Sequence, residues 1–211
     1  MIAPFLEGLA IAGAAISIFR SSGYGAILAS SDDVARRIED LQFELGEGPG
    51  FTVRRTGRPV QIDTGGDPQY VQFCASVNKL GVGMVITLPL TIGSVPVGVT
   101  TLYRTERDFM TPSEMVDAAT LVGSVVAPAT ERAMLLAARN VATPAEPEGE
   151  LRREVHQATG MILAQLGCST SDALLLMRAH AYARDRTMQA VAHDVVTRQL
   201  DFRTLTGNTP Q

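Results

Sequence analysis

The residue types able to carry covalent or metal chemistry are few and scattered in this chain. Its two cysteines, Cys74 and Cys168, and its three histidines, His156, His180 and His193, show neither a zinc spacing nor a disulfide framework. They are expected to serve as small apolar or ordinary helix side chains, and neither a metal nor another cofactor is expected. Leu45-Gly46-Glu47-Gly48-Pro49-Gly50 lacks the Gly-x-Gly-x-x-Gly spacing and the Lys-Ser/Thr pair of a phosphate cradle, so a turn explains it. Asp32-Asp33 stands where a helix starts, which capping accounts for. No catalytic constellation emerges, and the chain is not expected to be an enzyme. What remains is a basic group near the C-terminal end, Arg178, Arg184 and Arg186, whose guanidinium forks match phosphate oxygens.

The charge balance gives that group its context. The whole chain carries a net charge of −4, but residues 150–205 hold seven arginines against six acidic residues, so that segment is about +1. The remainder, with 11 basic and 16 acidic residues, is about −5. This permits a local nucleic-acid site and argues against a general nucleic-acid coat. Hydrophobic residues make up 45% and charged residues 19% of the 211, enough for a real core and too few charges for a disordered chain. The apolar opening Met1–Phe19 is interrupted by Pro4 and Glu7 and has no basic start, so it is read as core rather than as a signal peptide. A cytoplasmic protein without a membrane segment is expected.

Several elements must position these residues. Ala12–Phe19 and Tyr24–Ser30 read as two strands around Ser21-Ser22-Gly23, and Ser30 or Ser31 then opens a helix through Ile38 and Leu41. Phe51–Thr56 reads as a short helix stopped by Gly57, and Pro59–Asp63 as an edge strand. A helix ending near Leu80-Gly81 follows the turn at Gly65–Pro68. Met84, Ile86, Leu88 and Leu90, then Val95, Val97, Val99, Thr101 and Tyr103, alternate around Ile92-Gly93-Ser94 and predict a hairpin with one face toward a core. Thr111-Pro112-Ser113-Glu114 starts a helix running to about Ala138. Its stripe Met115, Ala119, Val122, Val126, Ala129, Ala133 and Leu136 fits a coiled-coil seam or a sheet-packing face equally, and Pro128 should kink it. Ala142–Gly149, with two prolines and no large apolar residue, reads as a linker. Three short helices follow: Leu151–Leu166, closed by Gly167, one capped at Ser169–Asp172, and one capped by Thr187. Such a small module is marginal alone.

The string Gln157-Ala158-Thr159-Gly160-Met161-Ile162, with Ser171-Asp172-Ala173, Met177-Arg178-Ala179-His180-Ala181 and Val191-Ala192, resembles the ANTAR family. Leu45–Gly50, Pro89-Leu90, Gly98-Val99 and Leu102-Tyr103 resemble the GAF-like half of GAF–ANTAR regulators over roughly residues 10–138. The resemblance implies an α/β sensory domain, an antiparallel sheet flanked by helices, at 1–141. It implies a linker at 142–149, a small all-α three-helix RNA-binding domain at 150–205, and a tail at 206–211. It further implies signal-dependent transcription antitermination on leader stem-loops and a homodimer. DNA binding in a helix-turn-helix manner, or protein contact alone, are the alternatives.

Thr159, Gly160, Arg178, Arg184 and Arg186 are the expected RNA-binding residues. Phe73, Met84, Ile86 and Leu102 are the expected lining of a small-molecule pocket. Where the ANTAR family commonly has Lys this chain has Thr159, which removes one positive charge, and Gly50 stands where relatives often carry Cys. Asn78-Lys79 is followed by Leu80-Gly81 without the phenylalanine and acidic pair of a cyclic-nucleotide signature. With Cys74 as its one cysteine, the first module cannot run the thiol chemistry of methionine sulfoxide reduction. The helix that such domains place before their first strand is expected to be truncated or missing here.

Overall fold

The computed structural model describes residues 1–20, 23–142 and 150–205. The chain divides into two compact units, Met1–Ala145 and Glu146–Gln211. Beyond Ala142, the predicted linker lies outside the described residues, as does the tail at 206–211.

In the first unit α1 (Ala3–Gly8) precedes β1 (Gly13–Arg20) and β2 (Gly23–Ser30), then α2 (Asp33–Leu45) and α3 (Pro49–Thr56). β3 (Val60–Asp63), α4 (Val71–Asn78), β4 (Met84–Ile92), β5 (Val95–Arg104) and α5 (Pro112–Ala142) complete it. The strands form a five-stranded sheet in the order β2-β1-β5-β4-β3, with every neighbouring pair antiparallel. β3 takes an edge, as its proline-led sequence predicts. Ile92 pairs with Val95 across Gly93-Ser94, and Gly93 at φ 60 supplies the left-handed residue of this hairpin turn.

The hairpin departs from expectation in one respect: it is buried on both faces. Met84, Ile86, Leu88, Leu90 and Leu102 join Phe5, Ala14, Ile16, Leu28 and α5 on one side. Val85 and Tyr103 join Ala15, Ile38, Ile62, Phe73 and Val77 on the other. Helices cover both sides of the sheet, so Val85 and Thr87, the other phase of β4, are buried too, and on β5 the predicted series Thr101 and Tyr103 lies on their side while Leu102 lies with Met84 and Ile86. The stripe on α5 packs on this sheet: Val122 and Ala129 are buried, and Met115, Val126, Ala133 and Leu136 lie against the same cluster. Ala119 of that stripe is exposed. α5 continues through Pro128, which is exposed, and runs past the predicted end to Ala142. The apolar opening is core, with Phe5 of the short α1 fully buried.

Local chemistry fixes the ends. Asp32, rather than Ser30 or Ser31, caps α2 by accepting the Ala35 amide at 2.8 Å, and Ser31 accepts the Ala14 amide at 2.9 Å instead. Thr111 and Glu114 form the expected reciprocal cap of α5: the Thr111 amide donates to Glu114 at 2.7 Å, and the Glu114 amide donates to the Thr111 hydroxyl at 3.3 Å. Arg104, 4% exposed at the end of β5, reaches Asp108 at 3.1 Å and Glu114 at 2.5 Å, tying α5 to the sheet.

The second unit holds α6 (Glu150–Leu166), α7 (Thr170–Ala183), α8 (Met188–Val196) and a further single turn, α9 (Phe202–Leu205). Ser169 and Asp172 form the predicted capping box of α7, and Thr187 caps α8 through the Ala190 amide at 3.1 Å. Val155, Ala158 and Ile162 meet Ala173, Leu174, Met177, Ala181, Met188, Val191, Ala192 and Val195 in a compact apolar core. α9 is unforeseen, because one turn is too short to show a period. Its Phe202 is buried, and the Phe202 amide donates to Gln165 of α6 at 3.1 Å.

Candidate functional site

The basic group forms at the junction of α7 and α8. Arg184 ends α7, Asp185 turns the chain at φ 50, and Arg186 leads to the Thr187 cap. Arg184 lies over His180, its Nη1 at 2.5 Å from Nε2, and the His180 ring leans on Phe202 with centroids 5.4 Å apart. Burial, then Arg184 and Arg186, hold the His180 imidazole below its usual range, so the neutral ring accepts the guanidinium proton. Arg186 pairs with Asp194 of α8 at 2.6 Å, and that hydrogen bond lowers the Asp194 carboxyl. His193 bonds Glu154 of α6 at 2.8 Å. Charged hydrogen bonds thus brace the faces around one exposed basic turn.

The five residues expected at the RNA face are distributed unevenly. Arg184 and Arg186 are exposed and share the turn. Arg178 is half-buried one and a half turns earlier on α7, where burial lowers its pKa. Gly160 is exposed on α6, with open space where a Cβ would stand. Thr159 corrects the expectation. It is 2% exposed and its hydroxyl donates to the Val155 carbonyl at 2.6 Å, so it offers no group to a ligand. The packing role expected of the small residues holds for Ala158, Ala173, Ala181 and Ala192, but not for Gly160.

In the first unit, the four residues expected to line one pocket do not meet. Phe73 packs on the α2–α4 side of the sheet, and Met84, Ile86 and Leu102 pack on the α5 side. The sheet separates them, and all four are fully buried core. A different interior group lies on the α2 side. Ser17 donates to Glu39 at 2.5 Å, Gln42 donates to Glu39 at 3.0 Å, and the Gly50 amide donates to Gln42 at 2.7 Å. Thr87 and Thr101 face each other across β4 and β5, and their buried hydroxyls have no hydrogen-bond partner among the described residues. Among those residues no His, Cys, Asp and Glu side chains gather as metal ligands would.

These two assemblies, a sheet with a polar interior and a helical unit with a basic turn, have relatives. The profile of the GAF domain matches residues 6–129, more than half of the chain, and that of the ANTAR domain matches residues 148–196. The chain belongs to the GAF domain family and ends in an ANTAR domain. No protein of curated function matches it. The GAF domain from a phosphoenolpyruvate-protein phosphotransferase of Coxiella burnetii is 16% identical, with 62% of this chain and 79% of that one covered at a TM-score of 0.50. A domain of a two-component sensor histidine kinase protein from Sinorhizobium meliloti is also 16% identical, with 65% and 90% covered at a TM-score of 0.45. A GAF domain/HD domain protein from Geobacter sulfurreducens is 13% identical, with 61% and 86% covered at a TM-score of 0.47. The first of these shares the fold of the GAF domain.

GAF domains are sensors and ANTAR domains are RNA-binding antiterminator modules. Tyr182 stands exposed on the side of α7 opposite Ala173, Leu174 and Met177. In the GAF domain, sequence reasoning missed the interior polar group, because Glu39 and Gln42 look like surface residues of an amphipathic helix. It also missed a second, outer stripe on α5. Val116, Thr120, Gly123, Ala127, Thr130 and Met134 repeat at alternating spacings of four and three. Gly123, Ala127, Thr130 and Met134 line an open apolar groove with Ile92 and Leu135. Thr120 and Thr130 turn their hydroxyls to the Val116 and Val126 carbonyls, which leaves methyl groups outward. No single helix among the described residues is long and apolar enough to cross a membrane.

Proposed function

We propose that this chain is a signal-dependent, RNA-binding regulator of transcription termination. It acts in the cytoplasm as a homodimer that holds leader stem-loops and prevents a terminator from forming. The observation that carries this reading is the joining of a sensor domain to an antiterminator domain whose α7–α8 turn exposes Arg184 and Arg186, in a segment of about +1 within a chain of −4. Guanidinium groups at such a turn offer charge-assisted bonds to phosphates, with Gly160 open to close approach. On the sensing side, the Thr87 and Thr101 hydroxyls, buried without a hydrogen-bond partner among the described residues, are the groups that a small polar ligand would satisfy. The linker at 142–149 joins the two domains, and the outer stripe of α5 is the dimer surface, its small centre matching a second copy's Val116 and Met134.

Titration of the full chain against a hairpin RNA and against a DNA duplex of the same stem sequence, at two salt concentrations, tests the reading. Salt-dependent binding to the hairpin alone is expected. Preference for the DNA duplex, or binding to neither, overturns it.

A further inference from the structure

The Thr87 and Thr101 hydroxyls, buried and without a partner among the described residues, stand opposite each other on the α2–α4 side of the sheet. On that side α3 packs on β3, β4 and β5, while α2 packs on β1, β2 and β5. α3 is lightly anchored. Its buried residues are Pro49, Gly50 and Val53, where α4, of equal length, buries Phe73, Cys74 and Val77. Polar contacts hold it instead. The Gly50 amide donates to Gln42 of α2 at 2.7 Å, and Thr52 and Tyr70 share a hydrogen bond of 2.7 Å. Glycines in the left-handed region flank it, Gly46 at φ 68 ahead and Gly57 at φ 66 behind. Rotation at those two positions moves no side chain, so α3 can lift as a unit while α2 and the strands stay in place.

We propose that α3 is a hinged gate over the Thr87 and Thr101 hydroxyls, latched by the Gln42–Gly50 and Thr52–Tyr70 hydrogen bonds. The inference rests on the reading of this domain as a sensor of a small polar ligand and adds the way in. From the other side a ligand would have to pass α5, whose buried stripe packs along the sheet, and then the sheet itself. Gln42 also ties the gate to the interior. Its amide donates to Glu39 at 3.0 Å while its carbonyl accepts from Gly50, so one side chain serves both. A polar ligand that offers Gln42 or Glu39 a new bond competes with the latch and shifts α3 toward its open position.

Thiol labelling of the full chain tests the gate without a ligand. Thr101→Cys places a thiol on the α3 side of β5. Thr100→Cys places one on the opposite face, where its neighbours Ile16 and Leu88 belong to the core beneath α5. Uptake of N-ethylmaleimide is read by mass spectrometry on the peptide that holds each thiol, which separates it from Cys74 and Cys168. The Thr101→Cys thiol should react faster than the Thr100→Cys thiol. Gln42→Leu, and separately Tyr70→Phe, should each speed the Thr101→Cys reaction by about three- to tenfold, the range for one hydrogen bond, and leave the Thr100→Cys reaction unchanged. Tyr70→Phe removes a single hydroxyl, so it decides the matter if Gln42→Leu unfolds the domain. Equal acceleration of both thiols by Tyr70→Phe would mean that the domain opens as a whole, and no acceleration by either latch variant that α3 stays shut. Each result overturns the gate. Because no ligand is used, such a failure leaves the sensor reading standing, and a failed hairpin titration would leave the labelling result unchanged.

Discussion

Gly160 sits in the middle of α6, exposed, with nothing within contact distance of the side chain that an alanine would add. A mid-helix glycine is about 1 kcal/mol worse than alanine, and here no packing offsets it. Gly160→Ala should therefore raise the stability of the ANTAR domain by about 0.5–1 kcal/mol in thermal melts. If Gly160 is kept for close approach of RNA, the same variant should bind the hairpin more weakly. A variant both more stable and equally tight would remove Gly160 from the RNA face. Thr159 makes the contrasting case one residue earlier. Its hydroxyl is already bonded within the helix and shielded from solvent, so Thr159→Val should leave RNA affinity and its salt dependence unchanged. A drop in affinity without a drop in stability would return Thr159 to the interface.

At the level of elements, the join between β5 and α5 depends on a buried cation. Arg104 holds Asp108 and Glu114, and Glu114 also closes the cap on Thr111. Replacing Arg104 with Met removes the buried member and leaves two solvent-accessible carboxylates unpaired, which should lower the denaturant midpoint of the GAF domain without changing its slope. The Thr111 amide and the Arg104 guanidinium together hold the Glu114 carboxyl down to about 2 from its ordinary 4.5. A carboxyl depressed in the folded state stabilises fully above its unfolded value, and that contribution disappears as pH falls from 4.5 toward 2. Glu114→Gln should accordingly flatten the acid limb of the stability curve over that interval. An unchanged limb would show that the ion pair contributes nothing measurable.

For the whole molecule, the outer stripe of α5 supplies a test of assembly. Ala127→Glu places a carboxylate on the floor of the apolar groove and leaves the buried stripe of α5 untouched. Sedimentation at rising concentration should show a dimer for the unaltered chain and a monomer for the variant. A dimer in both would put the interface elsewhere. Limited proteolysis addresses the division into domains. The composition of 142–149 offers no apolar anchor, so first cleavage is expected there. A first cut inside the β4–β5 hairpin or inside α6 would move the boundary.

The elements themselves were legible because their signals are local. Thr111-Pro112-Ser113-Glu114, Ser169–Asp172 and Thr187 cap helices through bonds within three residues, and the β4–β5 alternation is a period of two. The family resemblance was legible for a related reason: small residues such as Ala158, Ala173 and Ala192 stand where helices must touch. Which face each side chain finally occupies depended on partners distant in sequence. Phe73 and Met84 are eleven positions apart yet lie on opposite sides of one sheet, which no periodicity within either segment can reveal. Glu39 is buried because Ser17, on a strand 22 residues earlier, donates to it. Thr159 is withdrawn from solvent by a hydroxyl bond with Val155 and by the packing of the helices around it, while Arg184 and Arg186 stay exposed. Spacing along the chain selects the elements; exclusion of water by neighbours from elsewhere in the chain decides which of their side chains remain available to a ligand.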